Sequence, residues 1–280
     1  MSIEELINGL KDLPPAPRVL PRLLKVLGDE NAGSDDVVSL IDLDPALTAR
    51  IIRQSNSAYY GGFGAVSGLD EAVNRLGFRE IYRMACLICA RSFVGGAVPT
   101  YRMESEERWF NSVATGLVME TLSRDLGFCE PSTAYTVGLL HDIGKLAIHQ
   151  VFGDQYDAVF DKLEKEGKSL YRAEMEVLGF DHAQVGAALL EKWGFPEDIV
   201  IPIRFQYAPS DAPSQRETTG MLHVSHWIAG GIGGKPGKDS WAFELDASVF
   251  GLLHMDEERA MQVMLQSREQ LKEKEEMLSM

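Results

Sequence analysis

Three cysteines in 280 residues are too few, and too odd a number, for a disulfide framework, so the chain is expected in a reducing compartment. Cys86 and Cys89 make a C-x-x-C, but no second pair completes a zinc site. They lie inside Ala85-Cys86-Leu87-Ile88-Cys89-Ala90 and read as small core residues one helical turn apart. Basic charge is also short, with 27 Lys and Arg against 42 Asp and Glu and a net charge of −15. That argues against a nucleic-acid backbone or an anionic membrane surface as partner. No apolar run approaches the roughly 20 residues of a membrane span. The N-terminal Met1-Ser2-Ile3-Glu4-Glu5 is acidic and has no leader pattern, so a cytoplasmic location is expected. Period-2 alternation of strands is nearly missing, and no period of 20–50 residues repeats.

What is present is helical. Ile3, Leu6, Ile7 and Leu10 fall on one face of a short helix that ends at Leu13-Pro14-Pro15-Ala16-Pro17. Ser34-Asp35-Asp36 supplies a cap and acidic first turn for a helix to Leu43; Asp44-Pro45 starts another to Ser55. Asn56 to Gly64 is an irregular loop rich in glycine and tyrosine, and Gly77 ends the helix that follows it. After an apolar helix from Phe78 to Phe93 comes the break Gly95-Gly96-Ala97-Val98-Pro99. Long helices then continue to the C-terminus, interrupted by a Gly/Pro/Lys loop from Gly230 to Lys238. The expectation is an all-α, multi-helix bundle. It is divided into an N-terminal helical subdomain (1–97), a larger helical subdomain (98–255) and a C-terminal helix (256–280).

Leu139-Leu140-His141-Asp142-Ile143-Gly144-Lys145 places a histidine beside an aspartate in a segment that reads as a buried helix. Neighbours on a helix project about 100° apart, so both side chains can face one point. Lys145 follows one turn later on the same side. His182 opens a helix after Gly179-Phe180-Asp181, and His223 and His226 share a face of another. His141, Asp142, His182 and His226 therefore make a candidate set for one divalent transition metal such as zinc, manganese, iron or nickel. Asp142 has an alternative: a structural ion pair with Lys145 or Arg204, or a helix N-terminus, with no metal. His149 and His254 read as ordinary hydrogen-bonded histidines.

Several stretches, in order, resemble one family. They are Leu13-Pro14-Pro15-Ala16-Pro17, Asp44-Pro45-Ala46-Leu47-Thr48, Asn56-Ser57-Ala58-Tyr59-Tyr60-Gly61, Gly138-Leu139-Leu140-His141-Asp142-Ile143-Gly144, and Glu174 to Gly186 with Leu178-Gly179-Phe180-Asp181-His182. Together they resemble the HDOD family, the bacterial output-domain relative of the HD metal-dependent phosphohydrolases. The resemblance implies an HD-like helical fold. It also implies that His141, Asp142 and His182 stand where HD enzymes have metal ligands. The first-helix ligand position falls on Asn111, and a later histidine pair would fall near Gln206-Tyr207, so these ligands are missing. Lys145 matches the lysine of the H-D-x-G-K form.

Two functions are compatible with this pattern. One is a non-catalytic regulatory domain in signal transduction, acting on a protein partner or a small ligand and able to pair as a homodimer through its C-terminal helix. Asn56, Ser57, Tyr59 and Tyr60 are its candidate contact residues, and a role as loop packing is their alternative. The other is a metal-dependent phosphohydrolase or phosphodiesterase with a reduced site, where Lys145 contacts phosphate.

Overall fold

The structure is a computed structural model that describes residues 1–10, 19–27, 29, 32–57, 59–60, 65–232 and 243–273. Among these there is no strand, only an isolated antiparallel bridge between Val98 and Met103. Nor is any helix among them long and apolar enough to cross a membrane. The expected all-α fold is observed.

The described residues fall into two compact units, one of residues 19–92 and one of residues 1–10 and 93–273. The smaller unit holds α2 (Val19–Leu27), α3 (Ser34–Ile41), α4 (Pro45–Ser55), α5 (Leu69–Leu76) and nearly all of α6 (Phe78–Val94). Its helix ends follow local chemistry. Asp44 accepts from the Ala46 and Leu47 amides at 3.0 and 3.1 Å, and Pro45 takes the first helical position. Gly77, at φ +83°, closes α5. At α3 the cap differs from expectation. Gly33 is the N-cap and Ser34 is already helical, because the Asp36 carboxylate reaches back to the Gly33 amide at 2.8 Å. Leu20, Leu23, Ile41, Ile51, Ile81 and Ala85 are among the side chains this unit buries.

The larger unit contains α1 (Ile3–Gly9), α7 (Ser105–Leu126), α8 (Pro131–Leu140), α9 (Ile143–Phe152), α10 (Asp157–Glu166), α11 (Leu170–Leu178), α12 (His182–Lys192), α13 (Glu197–Arg204), α14 (Arg216–Gly231), α15 (Ser248–Leu252) and α16 (Glu257–Glu273). Short 3-10 turns at Pro99–Tyr101, Gly153–Tyr156 and Pro209–Asp211 join some of them. The long α7 packs on α8, α14 and α16, while α12 packs on α9, α13 and α1. The first helix thus belongs to the larger unit, and α16 turns Ala260, Val263 and Leu271 into it.

Two glycine crossings fix the centre. A Cβ on Gly138 of α8 would lie 2.7 Å from the Gly116 and Thr115 backbone of α7. A Cβ on Gly144 of α9 would lie 1.9 Å from the His182 carbonyl oxygen and 2.6 Å from the Gly186 nitrogen of α12. Only bare backbone fits at such approaches. His141 and Asp142 lie between these crossings, in the turn joining α8 to α9 rather than inside one continuous helix as expected. At the other end of the site, α13 stops at Arg204 instead of continuing to Tyr207. Ala208, ahead of Pro209, has left the α region, at φ −142° and ψ 67°. The Pro-rich stretch at 13–17, the glycines at 61–64, the loop at 233–238 and the expected helical end beyond 273 lie outside the described residues.

Candidate functional site

The larger unit buries a polar network where α8, α9, α11, α12 and the turn after α13 converge. His141, Asp142, Lys145, Glu174 and His182 are each no more than 1% exposed. The His141 Nδ1–H donates to the Gly138 carbonyl at 2.7 Å, which leaves Nε2 as the lone-pair nitrogen. Burial holds this imidazole below its usual pKa, so it is neutral. Asp142 follows directly. Its Oδ2 accepts from the Lys145 ammonium at 2.7 Å, and Lys145 also stands 5.7 Å from the centre of the Tyr101 ring. Burial alone would raise the Asp142 carboxyl, but His141, Lys145 and His182 around it hold it well below the usual range.

Glu174 governs His182. Its Oε2 accepts from the His182 Nδ1 at 2.6 Å and from the His182 amide at 2.9 Å; its Oε1 accepts the hydroxyls of Tyr101 and Tyr156 at 2.6 and 2.5 Å. These donors overcome the upward pull of burial and keep the Glu174 pKa low. Burial acts against the charge of His182 too, yet Glu174 and Asp142 outweigh it and raise this pKa to about 10. His182 is therefore an imidazolium at neutral pH, with its Nε2 2.7 Å from the Tyr207 hydroxyl.

The turn after α13 closes the network from above. Gln206 Nε2 donates to the His141 carbonyl at 3.1 Å, and the Gln206 carbonyl accepts from His223 Nδ1 at 2.7 Å. The His223 Nε2 takes the Asp246 amide at 2.9 Å, which fixes its neutral tautomer. Tyr207 stacks on Tyr171 with ring centres 4.7 Å apart, and Phe243 stacks on His226 at 4.8 Å.

Of the four candidate metal donors, the fold brings His141, Asp142 and His182 together. The Asp142 Oδ1 lies 3.5 Å from both Nε2 atoms. The His226 ring stands edge-on to His141 at 5.1 Å between centres. The chemistry of the set does not fit a resident divalent metal. Both nitrogens of His182 are engaged, by Glu174 and by Tyr207, and the Asp142 carboxylate already carries an ammonium. Of His141, Asp142 and His182, only His141 Nε2 and Asp142 Oδ1 are buried acceptors without a hydrogen-bond partner, and two donors are fewer than the three that even an open metal site uses. Among the described residues, no three or more His, Cys, Asp or Glu side chains form a group able to hold a metal ion.

The loop candidates lie in the smaller unit. Asn56 acts as a brace: its Oδ1 accepts from the Val66 amide at 2.7 Å, and its Nδ2 donates to the Val66 and Ile52 carbonyls at 2.8 and 2.9 Å. The Tyr60 hydroxyl bonds Glu80, and the Arg75 guanidinium donates to the Tyr60 carbonyl at 3.2 Å. The Ser57 hydroxyl is buried, and Tyr59 packs edge-on to Tyr60 at 4.6 Å while staying 37% exposed.

Sequence reasoning gave no site role to Glu174, Tyr101, Tyr156 or Tyr207, although Glu174 opens one of the family-like stretches. A usable signal existed for the first alone: a carboxylate eight residues before His182, across the helix stop at Gly179, in a segment otherwise apolar on that face.

The comparisons agree with this architecture. The model of the HDOD domain matches residues 13–209. A Shewanella amazonensis structure, provisionally described as a phosphohydrolase, is 26% identical with a TM-score of 0.71, over 99% of this chain and 97% of that one. A Marinobacter aquaeolei structure, provisionally described as a signal transduction protein, has a TM-score of 0.74 at 24% identity, over 99% of this chain and 64% of that one; it speaks for the fold alone. A Treponema pallidum protein described as uncharacterized is 26% identical over 215 residues, 75% of this chain. The chain spans 40% of that curated relative's length.

Proposed function

This chain belongs to the HDOD domain family, and on that premise we propose that it is a non-catalytic regulatory module of cytoplasmic signal transduction. It acts by binding a protein partner or a small ligand. One observation carries the reading: the Lys145 ammonium sits 2.7 Å from Asp142, both fully buried, where a hydrolase would need that carboxylate for a metal. Phosphoester hydrolysis of the HD type needs a metal-bound water with a lowered pKa. Here the charge that would accept the metal is already neutralised, and His182 is held as an imidazolium by Glu174.

The second reading, a phosphohydrolase with a reduced site, draws on the partnerless His141 Nε2 and Asp142 Oδ1, 3.5 Å apart. One experiment separates the two. Untagged protein is analysed for bound metal by mass spectrometry, then assayed with manganese, nickel or zinc on bis-p-nitrophenyl phosphate and a cyclic dinucleotide. The regulatory reading expects far less than one metal per chain and no turnover above the metal-only blank. A near-stoichiometric metal that is lost in Asp142→Asn, together with turnover, would establish the hydrolase instead.

A further inference from the structure

Beside the network stands a buried guanidinium that the network does not satisfy. Arg108, in the first turns of α7, is 0% exposed. Its Nη1 donates to the Gly96 carbonyl at 3.3 Å, while Nε and Nη2 have no partner. Those two nitrogens form the side-on edge of the guanidinium, whose parallel N–H bonds match the two oxygens of an oxyanion. Gly96 takes Nη1, so that buried edge is left without a hydrogen-bond partner.

Local charge points the same way. Asp142 is the carboxylate whose field reaches Arg108, yet no ion pair joins them, and Asp142 is bonded to Lys145. Two buried carboxylates, Asp142 and Glu174, thus face three cations, Lys145, His182 and Arg108. Burial lowers the Arg108 pKa to about 10, which leaves it charged at neutral pH. An ionised group buried with unmet donors is unfavourable unless something of opposite charge joins it. From α9, Lys145 and His149 are four residues apart and so share one helix face. His149 is part-exposed, feels the charge of Arg108, and is fixed by Thr100 Oγ1 at 2.5 Å. Gly96, whose carbonyl accepts from Arg108, is itself exposed.

We propose that the Nε–Nη2 edge of Arg108 anchors a site for a small oxyanion, a phosphate or carboxylate group, entering between Gly96 and His149. The inference rests on the regulatory reading, because it supplies that module with a ligand class bound without turnover. Free anion and the anionic head of a larger molecule share this chemistry, and the probes separate them.

The test is thermal unfolding of the full chain in EDTA, at constant ionic strength set with sodium chloride. Inorganic phosphate, acetate and a nucleoside monophosphate are titrated in turn. The expected result is a saturable rise in Tm with at least one of them, absent or at least about tenfold weaker in Arg108→Met. Inorganic phosphate or acetate acting alone identifies a free anion; the nucleotide acting more tightly identifies a larger ligand. If Arg108→Met does not fold, Arg108→Lys, which keeps the charge but not the fork, is expected to bind at least about tenfold more weakly. No saturable rise with any probe overturns the site and leaves the regulatory reading standing; an equal rise in the Arg108 variant also overturns it. Binding that appears only when EDTA is replaced by manganese assigns the anion to a metal and overturns both.

Discussion

Glu174 and His182 face each other across a glycine turn, and one carboxylate oxygen of Glu174 takes both the ring Nδ1–H and the backbone N–H of His182, at 2.6 and 2.9 Å. The first bond fixes the ring and its charge, and the second anchors the start of α12. The pair makes stability depend on pH from two sides. The His182 pKa rises from 6.5 to about 10 on folding, so its contribution is complete below pH 6.5 and is lost as pH climbs to about 10. The Glu174 pKa falls below 4.5, so its contribution is present above that value and is lost as pH drops further. We expect urea stability to decline from pH 7 to pH 10 with a slope of at most about 1.4 kcal/mol per pH unit from this group. His182→Asn should flatten that limb. An identical slope in the variant would assign the alkaline limb to other groups.

Removing one member of the Lys145–Asp142 pair exposes the cost of the other. Both are buried, so Lys145→Met should lower stability by about 3–5 kcal/mol. The double variant Lys145→Met with Asp142→Asn should recover most of that loss. Urea unfolding of all four proteins in a double-mutant cycle measures the coupling. If the double variant is as unstable as the sum of the singles, the two side chains act independently and the ion pair has no structural role.

Backbone contact between α9 and α12 allows no side chain at Gly144. Gly144→Ala would drive a methyl group to 1.9 Å from the His182 carbonyl, so the helices must separate. A loss of about 3 kcal/mol or more, or failure to fold, is expected by circular-dichroism melting. Gly9→Ala, at a glycine with no neighbour within 4 Å of the added carbon, is the control and should melt with the parent.

Asp181 is a cap with a buried charge. It accepts from the Gln184 amide at 2.8 Å, but burial lifts its pKa to about 6. The raised value means that stability from its neutral form is complete below pH 3.8 and lost by about pH 6. Asparagine caps as well and carries no charge. Asp181→Asn should therefore match or exceed the parent at pH 7, whereas Asp181→Ala should lose about 1 kcal/mol. Chemical denaturation at pH 5 and pH 7 checks both, and a less stable Asn variant at pH 7 would show that the charge itself is required.

Helix positions were legible in the sequence because their signals are local. Asp44-Pro45, Gly77, Asp181 and Gly179 each announce an end through a single cap or a positive φ, and the structure places an end at each. The nucleus of the site was legible too, since His141, Asp142 and His182 are polar residues in apolar surroundings. Their partners were not. Tyr101 meets Glu174 across 73 positions, and Tyr207 meets His182 across 25, from a turn beyond the end of α13. Such pairings are set by how helices cross, and the crossings depend on glycines whose spacing carries no directional information. Arg108 shows the same limit. Nothing in the sequence pattern sets it apart from the other cations, and packing alone buries it.

The Gly144–Gly186 crossing also restricts how this half of the protein can move. Helices separated by side chains can slide past one another as those side chains change rotamer. At Gly144 there is no such layer, because the His182 carbonyl already occupies the place a methyl group would need. Axial translation of α12 would drive its backbone into α9, leaving rotation about the point of contact as the soft direction. Any mechanical signal through these two helices then works as a pivot rather than a piston, with His182 beside the fulcrum and the far end of α12, next to α1, sweeping the longest arc.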